Sequence, residues 1–507
     1  MNRREGRRGS GRHSSDERIR AWQTGRSQRS EQGPRGSSGI TLVEPLENGR
    51  VLAWAVLQEA ETGTRFLQDL FLEFDRRHSL SSSDRALAVD IASGVMRRRR
   101  TLDRIIESRL TRPRSQTEPE LWQVLRIGTY QLLLSRTPRH AAVDSTVELC
   151  RSLGRDRWTG FVNGILRSVG RLQVLNDDGT PVAATGPARN ALPTQDGQWI
   201  QLNEELFPDP SAERASWFGD VFSLPSSLAG RWSERFDETQ LLRIGFHFAQ
   251  PPVTSLRVNQ LRSCQEDVVT RLQQAGVEAA CGSTSDSVRL QSAARIEQLP
   301  GFQEGHWSIQ DESAMSAARL VDPKPGEIIL DMCAAPGGKT THLAELSGDA
   351  STIIACDVSD DRLERIRQNA ARLQLKSIQT LRVHRDGGGF PDQLFDAVLV
   401  DVPCSNSGVL NRRPEARWRF DANSLAELVQ IQTRLLILAC ERTRPGGRVV
   451  YSTCSLEPEE NDGVVRSVLT AFPEFVLVQQ TQHVPGHPAD GAYQARLERT
   501  SDHTALR

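Results

Sequence analysis

The chain has 507 residues, of which 37% are hydrophobic, and its formal net charge is −1. A chain of this length is too long for a single domain with one hydrophobic core, so two to four domains are expected. No apolar run approaches the roughly 18 residues of a membrane span, and the Arg- and Ser-rich start lacks the apolar stretch of a secretory signal. The eight cysteines show no CxxC pair and no zinc spacing, so we expect no disulfide scaffold, no metal site and a cytoplasmic location.

The first segment is strongly basic. Residues 1–39 contain ten Arg and four acidic residues and almost no apolar ones. Such a composition cannot bury enough surface to offset the entropy of ordering, so residues 1–45 are predicted to be a disordered basic tail. The tail is either solubilising or a weak RNA-attracting arm.

Residues 46–171 are predicted to be a helical bundle. Apolar residues recur at helical spacing, for example at Val51, Val56, Leu67 and Leu70. Further helices are predicted around 87–95 and over 101–110, 119–135, 141–153 and 157–170. Within the bundle, Arg97–Arg100 form a basic cluster that is either a solvated helix face or a phosphate-binding patch.

Two segments of different character follow. Residues 172–222 are rich in turn residues and lose the helical periodicity, so they are predicted to be a linker or insertion. Helices resume near Pro225 and run to about 250. Short strands then alternate with one helix up to residue 305, which makes 223–305 a helical linker plus a small α+β module.

Residues 306–500 alternate strands and helices. Apolar runs predict strands at 327–331, 353–357, 379–384, 396–401 and 447–452. This repetition is typical of a doubly wound, mainly parallel, Rossmann-like α/β sheet. Ligands of such sheets bind beyond the carboxyl ends of the strands. Residues 501–507 are predicted to be a tail.

A glycine-rich turn follows the first of these strands. The strand ends at Asp331, and the turn consists of Cys333, Ala334, Ala335, Pro336, Gly337, Gly338 and Lys339. Small residues let the backbone approach a ligand closely, and the next helix offers free N–H groups. A phosphate-binding NTPase loop is disfavoured, because Cys333 stands where that motif needs Gly.

Carboxylates stand at or just after three consecutive strands. They are Asp331, Asp357 and Asp386. Asp357, about 20 residues past the turn, suits ribose hydroxyls, and Asp386 could accept from an adenine amino group. Each one alone could be a helix cap or a turn residue. Together, without a phosphate motif, they favour a nucleoside that carries a positive sulfonium over a dinucleotide.

Two cysteines follow later strands of the same sheet. Cys404 comes after Asp401-Val402-Pro403, and Cys454 comes after Tyr451-Ser452-Thr453. A thiolate that adds to C6 of a pyrimidine makes C5 nucleophilic enough to take a methyl group. The adduct must then lose the C5 proton and expel the thiol, so both a nucleophile and a base are required.

These motifs together resemble one family. Segments 331–340, 401–405 and 453–461, with Arg412–Glu415, Trp418 and Gln310–Ser313, are similar to the RNA (cytosine-5)-methyltransferases. The helical front resembles NusB-type RNA-binding domains through 125–128 and 161–167. The combination is typical of the RsmB/Sun (Fmu) branch, which methylates small-subunit ribosomal RNA.

The resemblance implies S-adenosylmethionine as cofactor and roles for individual residues. Cys454 corresponds to the nucleophile and Cys404 to the thiol that assists proton removal and release, although DNA cytosine methyltransferases use the Pro-Cys position for attack, which leaves the reverse assignment open. The implied cofactor contacts are Cys333, Ala334, Ala335, Pro336, Gly337, Gly338, Lys339, Asp357, Asp386 and Asp401. Lys339 or Asp401 could also touch the cytosine edge.

The resemblance also implies a partner. This partner is 16S rRNA before full subunit assembly, bound by a monomer without membrane or metal and with phosphate contacts from Arg97–Arg100, Arg151 or Arg167. A tRNA cytosine methyltransferase and a non-catalytic NusB-like antitermination factor remain alternatives. Residues 490–493 lack the aromatic pair usual before the last strand, which predicts looser packing there.

Overall fold

The computed structural model describes residues 48–62, 65–78, 80–291, 296–486 and 489–501. The predicted tail over 1–45 lies outside these residues, and so does the tail over 501–507 apart from Ser501. None of the helices within the described ranges is long and apolar enough to cross a membrane.

The front of the described chain is a helical bundle, as predicted. Its helices are α1 (Gly49–Thr62), α2 (Leu67–Arg77), α3 (Ser82–Glu107), α4 (Pro119–Leu133), α5 (Arg139–Ser152) and α6 (Thr159–Gly170). Helix α4 is buried on all sides from Leu121 to Leu133, and α1, α3, α5 and α6 pack around it. The two helices predicted near 87–95 and 101–110 are one continuous α3, because no proline interrupts them and arginine is a good helix former.

Residues 172–222 are folded. They contain an antiparallel pair, β1 (Ala191–Pro193) and β2 (Trp199–Gln201), and a helix, α7 (Arg214–Val221). The Trp199 ring stacks on Trp217 at 6.1 Å and meets Phe222 edge-on at 5.8 Å. Sequence periodicity did not reveal this helix, because its aromatic residues pack onto a strand rather than along one helix face.

The next segment is a small α+β module. Helices α8 (Ser226–Arg235) and α9 (Glu238–Ala249) precede β3 (Thr254–Val258), α10 (Gln265–Gln274), β4 (Ala279–Cys281), β5 (Ser287–Leu290) and β6 (Trp307–Ile309). The sheet order is β4-β5-β3-β6 and every pair is antiparallel. The fourth strand lies beyond residue 305, where the sequence suggested the module would end. The division of the chain into domains stays a prediction.

The last segment is a seven-stranded sheet flanked by helices. The elements are α11 (Glu312–Val321), β7 (Ile328–Asp331), α12 (Gly338–Leu346), β8 (Thr352–Asp357), α13 (Asp360–Leu373), β9 (Ile378–Arg382), β10 (Phe395–Asp401), α14 (Ala422–Glu441), β11 (Thr443–Thr453), α15 (Asp462–Ala471), β12 (Phe475–His483) and β13 (Ala492–Arg499). Short 3-10 turns cover Arg114–Gln116, Asp156–Trp158, Ile296–Gln298 and Pro414–Arg419.

The sheet is doubly wound. Its order is β12-β13-β11-β10-β7-β8-β9. The five strands from β11 to β9 are parallel to one another, and β13 runs antiparallel to both of its neighbours, β11 and β12. Alternate residues of each strand face opposite sides, so Ile329 packs with α11, α12 and α13 while Leu330 packs with α14 and α15. The predicted Rossmann-like fold class is therefore confirmed.

The basic cluster Arg97–Arg100 does not form a solvated face. Arg97 and Arg98 are buried and donate to the carbonyl oxygens of Asn411 and Thr194. Arg99 pairs with Glu61 and lies over the Trp418 ring, and Arg100 donates to Asp220. The expected phosphate contacts are thus wrong for Arg97 and Arg98, because this end of α3 packs against α7, Thr194 and residues 411–418. Arg99 and Arg100 stay half-exposed, and phosphate binding by them remains a prediction.

Residues 490–493 are held tightly, contrary to the expected loosening. The Asp490 carboxylate is buried and accepts from Asn411 at 2.9 Å, from His247 and from Arg412. Gly491 packs against Gly408, where a Cβ would lie 2.8 Å from the Gly408 Cα. Hydrogen bonds to Asp490 and the close packing of Gly491 therefore hold this segment in place without an aromatic pair.

Arg417 joins the helical bundle to the large sheet domain. Its guanidinium is fully buried and donates to the carbonyl oxygens of Arg97, Phe222, Ser223, Phe248 and Leu410. Burial lowers the pKa of Arg417 to about 9, and the nearby Arg97 and Arg98 add to this effect. One side chain thus satisfies carbonyl groups at the ends of α7 and α9.

Replacing Arg417 should therefore destabilise the protein. In Arg417→Met the buried carbonyl groups lose their donor, and we expect the free energy of unfolding to fall by about 3 kcal/mol. Denaturant unfolding followed by circular dichroism measures this. The matched control is Arg466→Met, which removes an exposed (i, i+4) pair with Asp462 and should cost less than about 0.5 kcal/mol. Equal losses in the two variants would contradict the junction role of Arg417.

Candidate active site

The predicted site residues lie on one side of the large sheet, at the carboxyl ends of its parallel strands. The parallel strands β11, β10, β7, β8 and β9 all end there, because parallel neighbours share a direction. The residues at or just after these ends are Cys454, Asp401, Cys404, Asp331, Asp357 and Asp386. The glycine-rich turn between β7 and α12 lies at the same edge.

The two thiols are in contact. The Sγ atoms of Cys404 and Cys454 lie 3.1 Å apart, and both cysteines are free. Parallel pairing of β10 and β11 sets Asp401 opposite Ser452 and so brings both following loops together. The loops are joined further along, where the Gly408 N–H donates to the Cys454 carbonyl oxygen at 2.9 Å. A Cβ at Gly408 would lie 2.8 Å from that oxygen, so glycine is required for the close approach.

The environments of the two thiols differ. Cys404 is buried, whereas Cys454 is partly accessible. The contact with Cys454 and burial raise the pKa of Cys404 well above its usual value, and the Glu460 carboxylate adds to this effect. Because two negative sulfurs in contact repel each other strongly, both thiols cannot ionise together, and the buried Cys404 is held as the thiol.

A half-buried cation lies next to this pair. Lys339 Nζ forms an ion pair with Asp401 Oδ2 at 2.7 Å. Burial alone would lower the pKa of Lys339, but the charges of Asp401, Cys454 and Asp331 outweigh it and raise that pKa. Lys339 therefore stays positive beside the two thiols.

The glycine-rich turn forms an open cradle. Gly337 has a φ of +100°, which favours glycine, and a Cβ there would lie 3.2 Å from Ile366. A Cβ on Gly338 would have no neighbour closer than 3.9 Å. Arg362 donates to the Ala335 carbonyl oxygen at 2.8 Å and so anchors the turn to α13.

Burial distinguishes two groups beside this cradle. Burial and Asp331 raise the pKa of Cys333, which therefore remains a thiol. Asp331 itself is fully buried, and burial raises its pKa to about 7. Its Oδ2 accepts from Thr340 Oγ1 at 2.7 Å, while its Oδ1 has no partner. A buried carboxylate oxygen without a partner suits a cationic ligand in the adjoining space.

Asp357 and Asp386 differ in environment. Asp357 is buried at the end of β8, lies 3.3 Å from Arg362 Nη1 and accepts from the Ser359 N–H. Asp386 is exposed, and its carboxylate caps its own turn through the Gly388 N–H at 2.9 Å. Cofactor binding by these two residues stays a prediction.

Sequence reasoning assigned no role to two residues at the thiols. Asn406, with a φ of +60°, donates to the Cys404 carbonyl oxygen at 2.9 Å, and its Oδ1 lies 3.4 Å from Cys454 Sγ. Glu460 contacts both serines that follow the cysteines. Asn406 lies two residues after Cys404, which is a usable signal, but nothing in the spacing indicates Glu460.

A Rossmann-like sheet whose strand ends carry a glycine-rich turn, carboxylates and two thiols in contact is typical of methyltransferases that use a nucleoside cofactor. Comparison with known families agrees. A model of the 16S rRNA methyltransferases RsmB/F matches residues 318–497. Residues 47–171 match the NusB family, and residues 224–297 match the ferredoxin-like domain of RsmF/B-like methyltransferases.

Similar proteins agree as well. Ribosomal RNA small subunit methyltransferase B of Salmonella paratyphi C is 32% identical over 83% of this chain and 92% of the relative. A Synechocystis protein named Probable ribosomal RNA small subunit methyltransferase B is 35% identical over 83% of this chain and 89% of the relative. The solved structure of PH0851 shares the fold, with a TM-score of 0.67 and 24% identity over 89% of this chain and 98% of that one. The chain belongs to the RsmB/F family of rRNA methyltransferases, and its cofactor is S-adenosylmethionine, as predicted.

The raised pKa of Asp331 predicts a pH-dependent stability. The folded state favours the protonated carboxyl, so this stabilisation is complete below the unfolded pKa of 3.8 and is lost as the pH rises through about 7. Asp331→Asn stays neutral throughout. In the protein without cofactor, the thermal midpoint of the variant should gain on that of the wild type between pH 5 and pH 8. A difference that stays constant over this range would contradict an ionisation cost at Asp331.

Proposed function

We propose that this protein methylates C5 of a cytosine in 16S rRNA through a covalent bond between Cys454 and C6 of the base. The observation that carries the proposal is the contact of two unequal thiols, 3.1 Å apart, beside a half-buried lysine. C5 of cytosine is too weak a nucleophile to take a methyl group unaided. A nucleophile and a separate proton-handling group in contact suit this reaction.

The steps assign one role to each thiol. The Cys454 thiolate adds to C6, and the electron pair of the C5–C6 bond becomes available at C5. After C5 has gained its methyl group, the C5 proton must leave, and the electrons of that C–H bond reform the double bond and expel the Cys454 thiolate. Cys404, which touches Cys454, gives its own proton to the departing Cys454 sulfur and takes up the C5 proton, so both cysteines end the cycle as thiols. The unequal burial of the thiols supports this order over the reverse one.

The residues at the sheet edge fit the cofactor. The unpartnered Asp331 oxygen and the cradle of Gly337 and Gly338 suit a molecule that combines positive groups with a nucleoside. S-adenosylmethionine supplies the methyl group when bound. Residues 333–339, with Asp357, Asp386 and Asp401, would hold it, and either Lys339 or Asp401 would contact the cytosine edge.

The substrate assignment rests on relatives and on the helical bundle. The curated relatives are named as small-subunit rRNA methyltransferases, and the bundle matches the NusB family. Of the arginines expected to contact phosphate, Arg151 and Arg167 remain exposed on α5 and α6. The target cytosine must be unpaired or flipped to reach the thiols. We infer that the protein acts in the cytoplasm, as a monomer, before subunit assembly is complete.

Replacing the nucleophile tests the chemistry. Cys454→Ala should lose more than 10³-fold of methyl transfer from labelled S-adenosylmethionine to 16S rRNA, because C6 can no longer be attacked. Cys264→Ala, at an exposed thiol on the small module, should keep full activity. In a strain that lacks the gene, bisulfite sequencing should find one unmethylated cytosine, whose methylation the wild-type gene and Cys264→Ala restore and Cys454→Ala does not. Methyl transfer by Cys454→Ala would overturn the assignment of Cys454 as nucleophile. If the unmethylated cytosine lay in tRNA, the substrate would be tRNA and not 16S rRNA.

Replacing the second thiol tests the order of the steps. Cys404→Ala should still form the Cys454–C6 bond but release it slowly, so a protein–RNA adduct should accumulate on denaturing gels. The wild type and Cys264→Ala should show little of it. An adduct in Cys454→Ala and none in Cys404→Ala would exchange the two roles.

A further inference from the structure

We propose that Glu460 is a positioning residue whose carboxylate clamps the two cysteine loops together and so keeps the thiols in contact. Only the effect of this clamp on catalysis rests on the proposed function, because its contacts form within the protein alone.

The geometry of the carboxylate is that of a bridge. Glu460 Oε1 accepts from the Ser405 N–H at 2.8 Å, and Oε2 accepts from Ser405 Oγ at 2.5 Å and from Ser455 Oγ. Ser405 directly follows Cys404, and Ser455 directly follows Cys454. One carboxylate therefore holds the residue next to each thiol: Oε2 joins the two serine hydroxyls, and Oε1 fixes the Ser405 backbone.

The carboxylate is itself fixed in place. Gln432, from the middle of α14, donates to Oε1 at 2.9 Å, and the Tyr451 hydroxyl donates to the Glu460 carbonyl oxygen at 2.6 Å. Glu460 lies at the far end of the loop that begins with Cys454, just before α15, and Gln432 and Tyr451 tie it to α14 and β11. For the Cys404 loop to move away, it would have to break its contacts with this fixed carboxylate.

Only neutral donors surround the Glu460 carboxyl group. Its side chain is completely buried, and among the residues that the structure describes no Lys or Arg lies within ion-pair distance of it. Both of its oxygens accept: Oε2 from the hydroxyls of the two loops, and Oε1 from the Ser405 N–H and from Gln432. An amide has one acceptor oxygen and would set its NH2 group against donors at the other position.

The equilibrium between the two thiols and a disulfide measures the clamp without RNA. Glutathione disulfide takes up two electrons and two protons from Cys404 and Cys454, which form one S–S bond, and yields two molecules of glutathione. The more closely the protein holds the thiols together, the more the equilibrium favours this bond. In Glu460→Gln we expect the equilibrium constant to fall at least tenfold, a shift of about 30 mV in reduction potential. Glutathione redox buffers and mass spectrometry of the linked peptides give the constant.

Matched variants separate the clamp from general damage. Glu459→Gln changes the neighbouring residue, which is exposed and pairs with Arg231, and should leave the constant within twofold of wild type. If Glu460→Gln does not fold, the double variant Ser405→Ala, Ser455→Ala removes the hydroxyl donors and should lower the constant in the same direction. In methyl transfer, Glu460→Gln should lower kcat while the KM for S-adenosylmethionine stays unchanged.

The outcomes are distinct. A folded Glu460→Gln protein with a wild-type equilibrium constant would overturn the clamp. An altered constant combined with full methylation by Cys454→Ala would leave the clamp standing and remove the proposed chemistry.

Discussion

The parallel pairing of β10 with β11 fixes where the two thiols can be. Asp401 lies opposite Ser452 in this register, Cys404 follows three residues later in one strand, and Cys454 follows two residues later in the other. A slip of one residue would exchange the faces of every side chain in β11 and force Val450 and Tyr451 each into the core on the opposite side of the sheet. Side-chain packing on both sides of the sheet therefore fixes the register of β10 and β11, and this register places the two Sγ atoms 3.1 Å apart.

Charge around this contact is balanced so that only one thiolate fits. Lys339 supplies one positive charge, and Asp401 at 2.7 Å neutralises most of it. Glu460 and Cys454 both oppose ionisation of Cys404. A second thiolate would place three negative groups around one lysine, with little water to screen them. The asymmetry that the reaction needs thus follows from the buried position of Cys404.

The sequence predicted the fold where the pattern is local. Strands β7 to β11 are apolar runs that end at turn or loop residues, and the strand-end rule then placed the cysteines and carboxylates on one edge. It did not predict β6 or the packing of α7, because these depend on contacts between distant segments. It also misjudged Arg97 and Arg98, since arginine is usually exposed and helical periodicity cannot show that another domain covers the polar face.

Buried arginines of this kind join the outer parts of the molecule to the site. Arg257 of β3 is buried and donates to Gly338 O and Thr341 Oγ1 at the start of α12, so the small module supports the cofactor turn. Arg417 connects the helical bundle to the loop after Cys404 through the Leu410 carbonyl oxygen. Because both contacts end on segments next to the site, the bundle and the module do more than recruit a substrate. Removing the module would leave the buried Glu345 without Arg257, and removing the bundle would take acceptors from Arg417, so we expect the sheet domain to lose stability without its neighbours.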